Sequence, residues 1–120
     1  MNYLSALLIS FIFSLPAYCS DPTVVNFCTN TTNSIVLADL LNCNEVMVND
    51  QSWSVQTLKL GFEANGTYYD QIITNNIIPQ AFLNQIQTLS PDKIYMKDIK
   101  LINANNEEKS LKNKTIKIIN

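Results

Sequence analysis

The 120 residues contain no histidine and no arginine, and only two glycines, Gly61 and Gly66. Each absence removes a class of function. Without histidine, the side chain that titrates nearest neutrality is missing, so Ser-His nucleophiles and His-bearing zinc sites are excluded. Without arginine, there is no bidentate fork for phosphate or for a guanine edge. Two isolated glycines cannot build a phosphate-cradling loop, and no G-x-S-x-G elbow is present. The acids do not follow the spacing of a calcium loop. No cofactor, no metal and no nucleic-acid partner are expected.

The first stretch, MNYLSALLISFIFSLPAYCS, carries no charged side chain and runs apolar from Leu4 to Leu15 before Pro16 and Ala17. This is the layout of a secretory signal peptide over residues 1–19, and the run is short against the roughly twenty residues of a membrane span. Residues 20–120 then form one domain, long enough to bury close to two-thirds of the unfolded surface. The expected location is outside the cytoplasm, periplasmic or associated with an outer membrane.

Charge is unevenly placed. From Asp21 to Asp92 there are seven acids and one lysine, Lys59, a net of −6; from Lys93 onward seven lysines face three acids, a net of +4. A basic end of this kind reads as solvated strands, given the absent arginine and a sequence pI near 4.9.

Three cysteines are present: Cys19, Cys28 and Cys43. Cys19 stands at the signal-peptide boundary, where two fates are open to it: removal with the peptide, or lipidation as a membrane anchor, although Tyr18 departs from the usual lipoprotein pattern. Cys28 and Cys43 are left as an even pair in an oxidising compartment and read as a candidate disulfide, the alternative being two separate buried thiols.

Along the exported part, VVNF reads as a first strand and TNTTNS as a turn. VLADLL fits either one helical turn or a short strand, and EVMV a short buried strand. In WSVQTLKLGFEA, Leu58, Leu60 and Phe62 alternate with Lys59, Gly61 and Glu63, a half-buried strand. Trp53 and Val55 fall on the opposite parity, which a β-bulge near Thr57 or a change of sheet reconciles. Asn65-Gly66 is a strong hairpin signal, with a return strand expected over about residues 67–73. A short helix is expected over about residues 79–89, with Phe82, Ile86 and Leu89 on one face and Ser90-Pro91 as its stop. In KIYMKDIKL, Ile94 and Met96 share one parity and Ile99 and Leu101 the other, so a bulge is expected at Lys97-Asp98 with Lys93, Tyr95 and Lys97 in water before it and Asp98 and Lys100 after it. NANNEEKSLKN reads as a polar connection or long hairpin, and TIKIIN as a last strand with Ile116 and Ile118 inward. The pattern is mainly β: an Ig-like antiparallel β-sandwich with one short helix.

Candidate chemical groups are few. Asp92 with Asp98, and Glu107 with Glu108, are carboxylate pairs by proximity, and a hydrolase built on Asp92 and Asp98 is the enzymatic alternative. Lys97 beside Asp98 has the makings of a Schiff-base lysine, which requires desolvation. Tyr68 and Tyr69 offer an aromatic patch, but neighbours on a strand face opposite ways, so one of them is expected to pack inward. Sequons begin at Asn30, Asn65 and Asn113 and carry meaning in a eukaryotic secretory pathway.

From about Ile35 to Ile119, the segments SVQTLKLGFEANGTYY, PQAFLNQIQTL, SPDKIYMKDIKLINA and SLKNKTIKII follow one another in an order that resembles the C-terminal domain of the gliding-motility protein GldM. The family-like centre is Asp98-Ile99. Members of that family are periplasmic shafts of the type IX secretion and gliding machinery, whose terminal domain meets an outer-membrane-associated ring. A signal peptide in place of a spanning helix, with no preceding stalk domains, departs from that pattern, so the resemblance implies a docking role rather than motor coupling. The expectation is a non-enzymatic protein–protein interaction domain whose partner is another cell-envelope protein. A structural surface lipoprotein anchored through Cys19 is the second reading.

Overall fold

The computed structural model describes residues 23–120. The signal peptide expected over residues 1–19, and Cys19 with it, lie outside the described residues. Among the described residues, eight strands and two short helices follow in the order β1 (Val25–Phe27), β2 (Ser34–Val36), α1 (Leu37–Leu41), β3 (Val46–Val48), β4 (Trp53–Ala64), β5 (Thr67–Ile73), α2 (Gln80–Leu89), β6 (Lys93–Asn103), β7 (Glu108–Leu111) and β8 (Lys114–Ile119). The fold is mainly β and sandwich-like. A six-stranded sheet runs β2-β8-β6-β4-β5, with β7 also paired to β6, and β1 and β3 form a separate antiparallel ribbon.

The long central strands carry the sheet. β4 and β5 form the expected hairpin, closed by Asn65 at φ 53° and Gly66 at φ 77°. Two successive left-handed residues are what a two-residue turn matched to strand twist requires. Between β4 and β6, the register steps from Val55↔Leu101 to Thr57↔Lys100 and then to Lys59↔Lys97. The first step spends an extra residue on β4, and the second spends one on β6 at Asp98, whose φ is 50°. The two bulges compensate. Val55 and Leu58 are therefore both buried in spite of their opposite parity, and so are Met96 and Ile99.

α2 begins after Pro79 and stops at Ser90, a left-handed cap whose N–H donates to the Ile86 carbonyl at 2.9 Å. Its Phe82, Leu83 and Ile86 are buried, with the Phe82 ring edge-on to Phe62 at 5.5 Å between centroids. Val25, Phe27, Val46 and Ile78 join the same core, which continues into Leu60, Ile94, Ile116 and Ile118 of the sheet. One face of the sheet is thus covered by helix and ribbon.

Four details go beyond the sequence expectation. VLADLL resolves into one helical turn, α1. The polar connection after β6 contains a strand, β7, paired to β6 from Ile99↔Leu111 to Ile102↔Glu108. In EVMV only Val46 is fully buried, while Met47 is exposed. β2 runs parallel to β8, from Ser34↔Lys117 to Val36↔Ile119, where every other pair is antiparallel. Only strands joined by a short connection are obliged to be antiparallel, and β2 and β8 are separated by most of the chain.

Cys28 and Cys43 form a disulfide, with Cα atoms 5.9 Å apart. It fastens the end of β1 to the segment after α1.

Candidate binding face

The face of the sheet away from α2 is open to solvent among the described residues. Strand alternation puts Lys59, Gly61 and Glu63 of β4, Tyr68, Asp70 and Ile72 of β5, and Lys93, Tyr95 and Lys97 of β6 on it. Tyr68 lies across Gly61. A Cβ added at Gly61 would meet the Tyr68 hydroxyl and stand 2.8 Å from the ring carbon that bears it. A glycine within a strand marks a close approach of this kind, and the diagonal aromatic shields the bare backbone.

Lys97 completes the cluster. Its Nζ sits 4.6 Å from the Tyr68 ring centroid and 5.2 Å from that of Tyr95, whose hydroxyl donates to Glu63 Oε1 at 3.2 Å. A hydrogen bond with the Tyr68 side chain raises the Lys97 pKa above the ordinary lysine value; desolvation opposes this, and the charges of the Tyr68 and Tyr95 phenolates, once ionised, and of Asp70 assist. A Schiff-base lysine needs the opposite shift. Lys97 and Asp98 do not act as a pair either: Asp98 is exposed and faces Lys59 at 3.7 Å, and its N–H donates to Asn113 Oδ1. Next to the cluster, an open groove of about 500 Å³ is lined by Thr57, Lys59, Ile72, Asp98, Lys100 and Asn113.

The other candidate residues are dispersed. Asp92 precedes β6 and Asp98 lies on its bulge, so about 20 Å of strand separates them at roughly 3.3 Å per residue. Glu107 belongs to the β6–β7 turn, where its carboxylate accepts from Asn103 Nδ2, and Glu108 accepts from Gln56 Nε2 across the sheet. Tyr69 turns inward and stacks on Phe62 at 5.2 Å, which leaves Tyr68 as the outward member of the pair. Asn65 is exposed at the hairpin tip, and the Asn30 side chain is engaged with Thr32. Among the described residues no group of three or more His, Cys, Asp or Glu could hold a metal ion, and no helix is long and apolar enough to cross a membrane.

Two lysines of the basic end have structural partners. Lys114 Nζ donates to the Val25 carbonyl at 2.8 Å and to Asn26 Oδ1 at 2.6 Å, and burial lowers its pKa. Lys109 Nζ lies 4.5 Å from the Trp53 ring and donates to Thr23 Oγ1. Together they hold the start of β1 against the sheet. The signal for Lys114 was present: it shares parity with Ile116 and Ile118, so it points inward with them. Lys109 gives no such signal, because its partners Trp53 and Thr23 are remote in sequence.

No protein-family model matches the chain, and no curated protein matches it in sequence.

Proposed function

We propose that this chain is an exported, non-enzymatic protein–protein interaction domain that docks onto another protein of the cell envelope. The open sheet face carries the proposal. Tyr68 and Ile72 are exposed at 43% and 62% on the same strand, beside the Lys97 and Lys59 cations. Tyrosine and flanking lysines of this kind present apolar area with a charged rim, a composition suited to recognition. The Cys28–Cys43 disulfide is compatible with an oxidising compartment. The resemblance to the GldM C-terminal domain points to the same kind of role, and association with type IX secretion or gliding machinery is the specific form of it.

The test is a photocrosslinking amino acid placed at position 68, with position 39 on α1 as the exposed control. In cells of the host, a single reproducible adduct with one envelope protein is expected from position 68 and not from position 39. Adducts from both positions alike, or from neither, would overturn the docking role.

A further inference from the structure

We infer that β5 is the docking edge, and that it takes up an extended segment of a partner whose side chains on one face read apolar, basic, apolar. The inference rests on the docking role above and names the chemistry of its partner.

β5 ends the sheet and pairs with β4 alone. The two-residue turn at Asn65-Gly66 closes on Ala64↔Thr67 as a hydrogen-bonded pair, and such pairs alternate along an antiparallel ladder. Thr67, Tyr69, Gln71 and Ile73 therefore direct their N–H and C=O groups to β4. Tyr68, Asp70 and Ile72 direct theirs outward, to an edge that no other described strand covers. These three residues also carry the side chains of the open face.

Natural sheets guard their edges with very short strands, lysine, proline or bulges. The opposite edge strand, β2, has three residues, and β7 has four and contains Lys109. β5 has seven residues, with no lysine and no proline, and its ladder with β4 is continuous from Leu58↔Ile73 to Ala64↔Thr67. Its one guard is Asp70, and that guard is selective. In a symmetric antiparallel pairing with a second copy, the register that engages all three outward residues sets Tyr68 against Ile72 and Asp70 against its own twin. Like charges directly opposite one another are destabilising, so self-association is opposed at the centre of the edge. A heterologous strand with a lysine or arginine opposite Asp70, flanked by apolar residues opposite Tyr68 and Ile72, satisfies the same three positions without that penalty. Addition of a strand to an exposed edge draws affinity from main-chain hydrogen bonds and specificity from alternate side chains.

The test uses isotopically labelled, purified protein and two capped peptides, Thr-Val-Thr-Lys-Thr-Val-Thr and Thr-Val-Thr-Asp-Thr-Val-Thr. Amide shifts and hydrogen exchange are followed during titration. The lysine peptide is expected to slow exchange at Tyr68, Asp70 and Ile72 and leave the already bonded Tyr69 and Gln71 unchanged. The aspartate peptide is expected to bind about three- to tenfold more weakly, the size of one surface charge pair changed from attractive to repulsive. Asp70→Lys should reverse that order. Ile72→Pro should abolish binding with the fold intact, because proline removes an outward donor and leaves the ladder to β4 untouched. Equal binding of both peptides, protection elsewhere in the molecule, or unbound protein already dimeric with β5 protected would each overturn the inference. So would no response to either peptide. A failed titration alongside a surviving adduct from position 68 would remove the edge and leave the docking role in place.

Discussion

At the scale of the residue, polar and small side chains on the open face act through close geometry. Gly61 is glycine because the Tyr68 ring occupies the space a Cβ would take. Gly61→Ala should swing that ring outward and release Lys97, whose pKa should fall back toward the ordinary lysine value in an NMR titration, at a stability change within roughly 1 kcal/mol. The sign of the pH dependence follows from the direction of the shift. Because the folded-state value of Lys97 is raised, its contribution is fully present below the ordinary lysine value and is lost as pH climbs through the folded value. Lys97→Met should flatten this alkaline loss in denaturation curves measured against pH. Lys114 behaves in the opposite sense: burial lowers its folded value, so the cost of its charge is fully present below that value and is relieved as pH rises from there to the ordinary lysine value. Even so, Lys114→Met should destabilise by about 1–3 kcal/mol, because the Val25 carbonyl and Asn26 Oδ1 lose their donor in a region shielded from water.

At the scale of the element, the ribbon of β1 and β3 depends on constraints from outside itself. Two paired strands of three residues bury too little to stand alone, and the disulfide, Lys114 and Lys109 secure them. Replacing both cysteines by serine should lower stability by about 3 kcal/mol, as expected for a closed loop of 15 residues. The loss should be measured in urea under conditions where the wild-type bridge is intact. The compensating bulges in β4 and β6 explain how parity was readable within each half-strand while the strand as a whole was not. Leu58, Leu60 and Phe62 hold one parity and Val55 the other, yet all four lie in the same core; the extra residue on β4 lies between them, and a second at Asp98 restores the register on β6.

At the scale of the whole molecule, stability lies on one face of the sheet and the surface suited to binding on the other. Phe62→Ala should cost about 3–5 kcal/mol, since Phe62 meets both Phe82 and Tyr69 in the core. Tyr68→Ser and Ile72→Ser should each cost no more than about 1 kcal/mol, the span of side-chain preference on an exposed strand, with Tyr68→Ser the larger because it uncovers Gly61 and releases Lys97. Chemical denaturation of the three variants checks the division. Much of this architecture was legible beforehand: the hairpin at Asn65-Gly66, the helix stopped at Ser90-Pro91, both bulges, the inward Ile116 and Ile118, and the pairing of Cys28 with Cys43. The disulfide was read from an even cysteine count in an oxidising compartment; the others rest on local steric preference or on two-residue alternation, which a short window contains. The parallel neighbour of β8 was not legible, and neither was β7 within its polar segment, because both depend on partners remote in sequence.

Sequence alone determined that the chain is mainly β, which side of each strand is apolar, and that the usual catalytic and phosphate-binding groups built on histidine, arginine or clustered glycine are missing. These follow from residue identity and alternation. Only the tertiary structure decided that Asp92 and Asp98 stand apart, that Lys109 meets Trp53 and Thr23, that Tyr68 shelters Gly61, and that β5 ends the sheet. The physical reason is that an edge or a contact belongs to two segments at once, and chain order does not fix which segments meet.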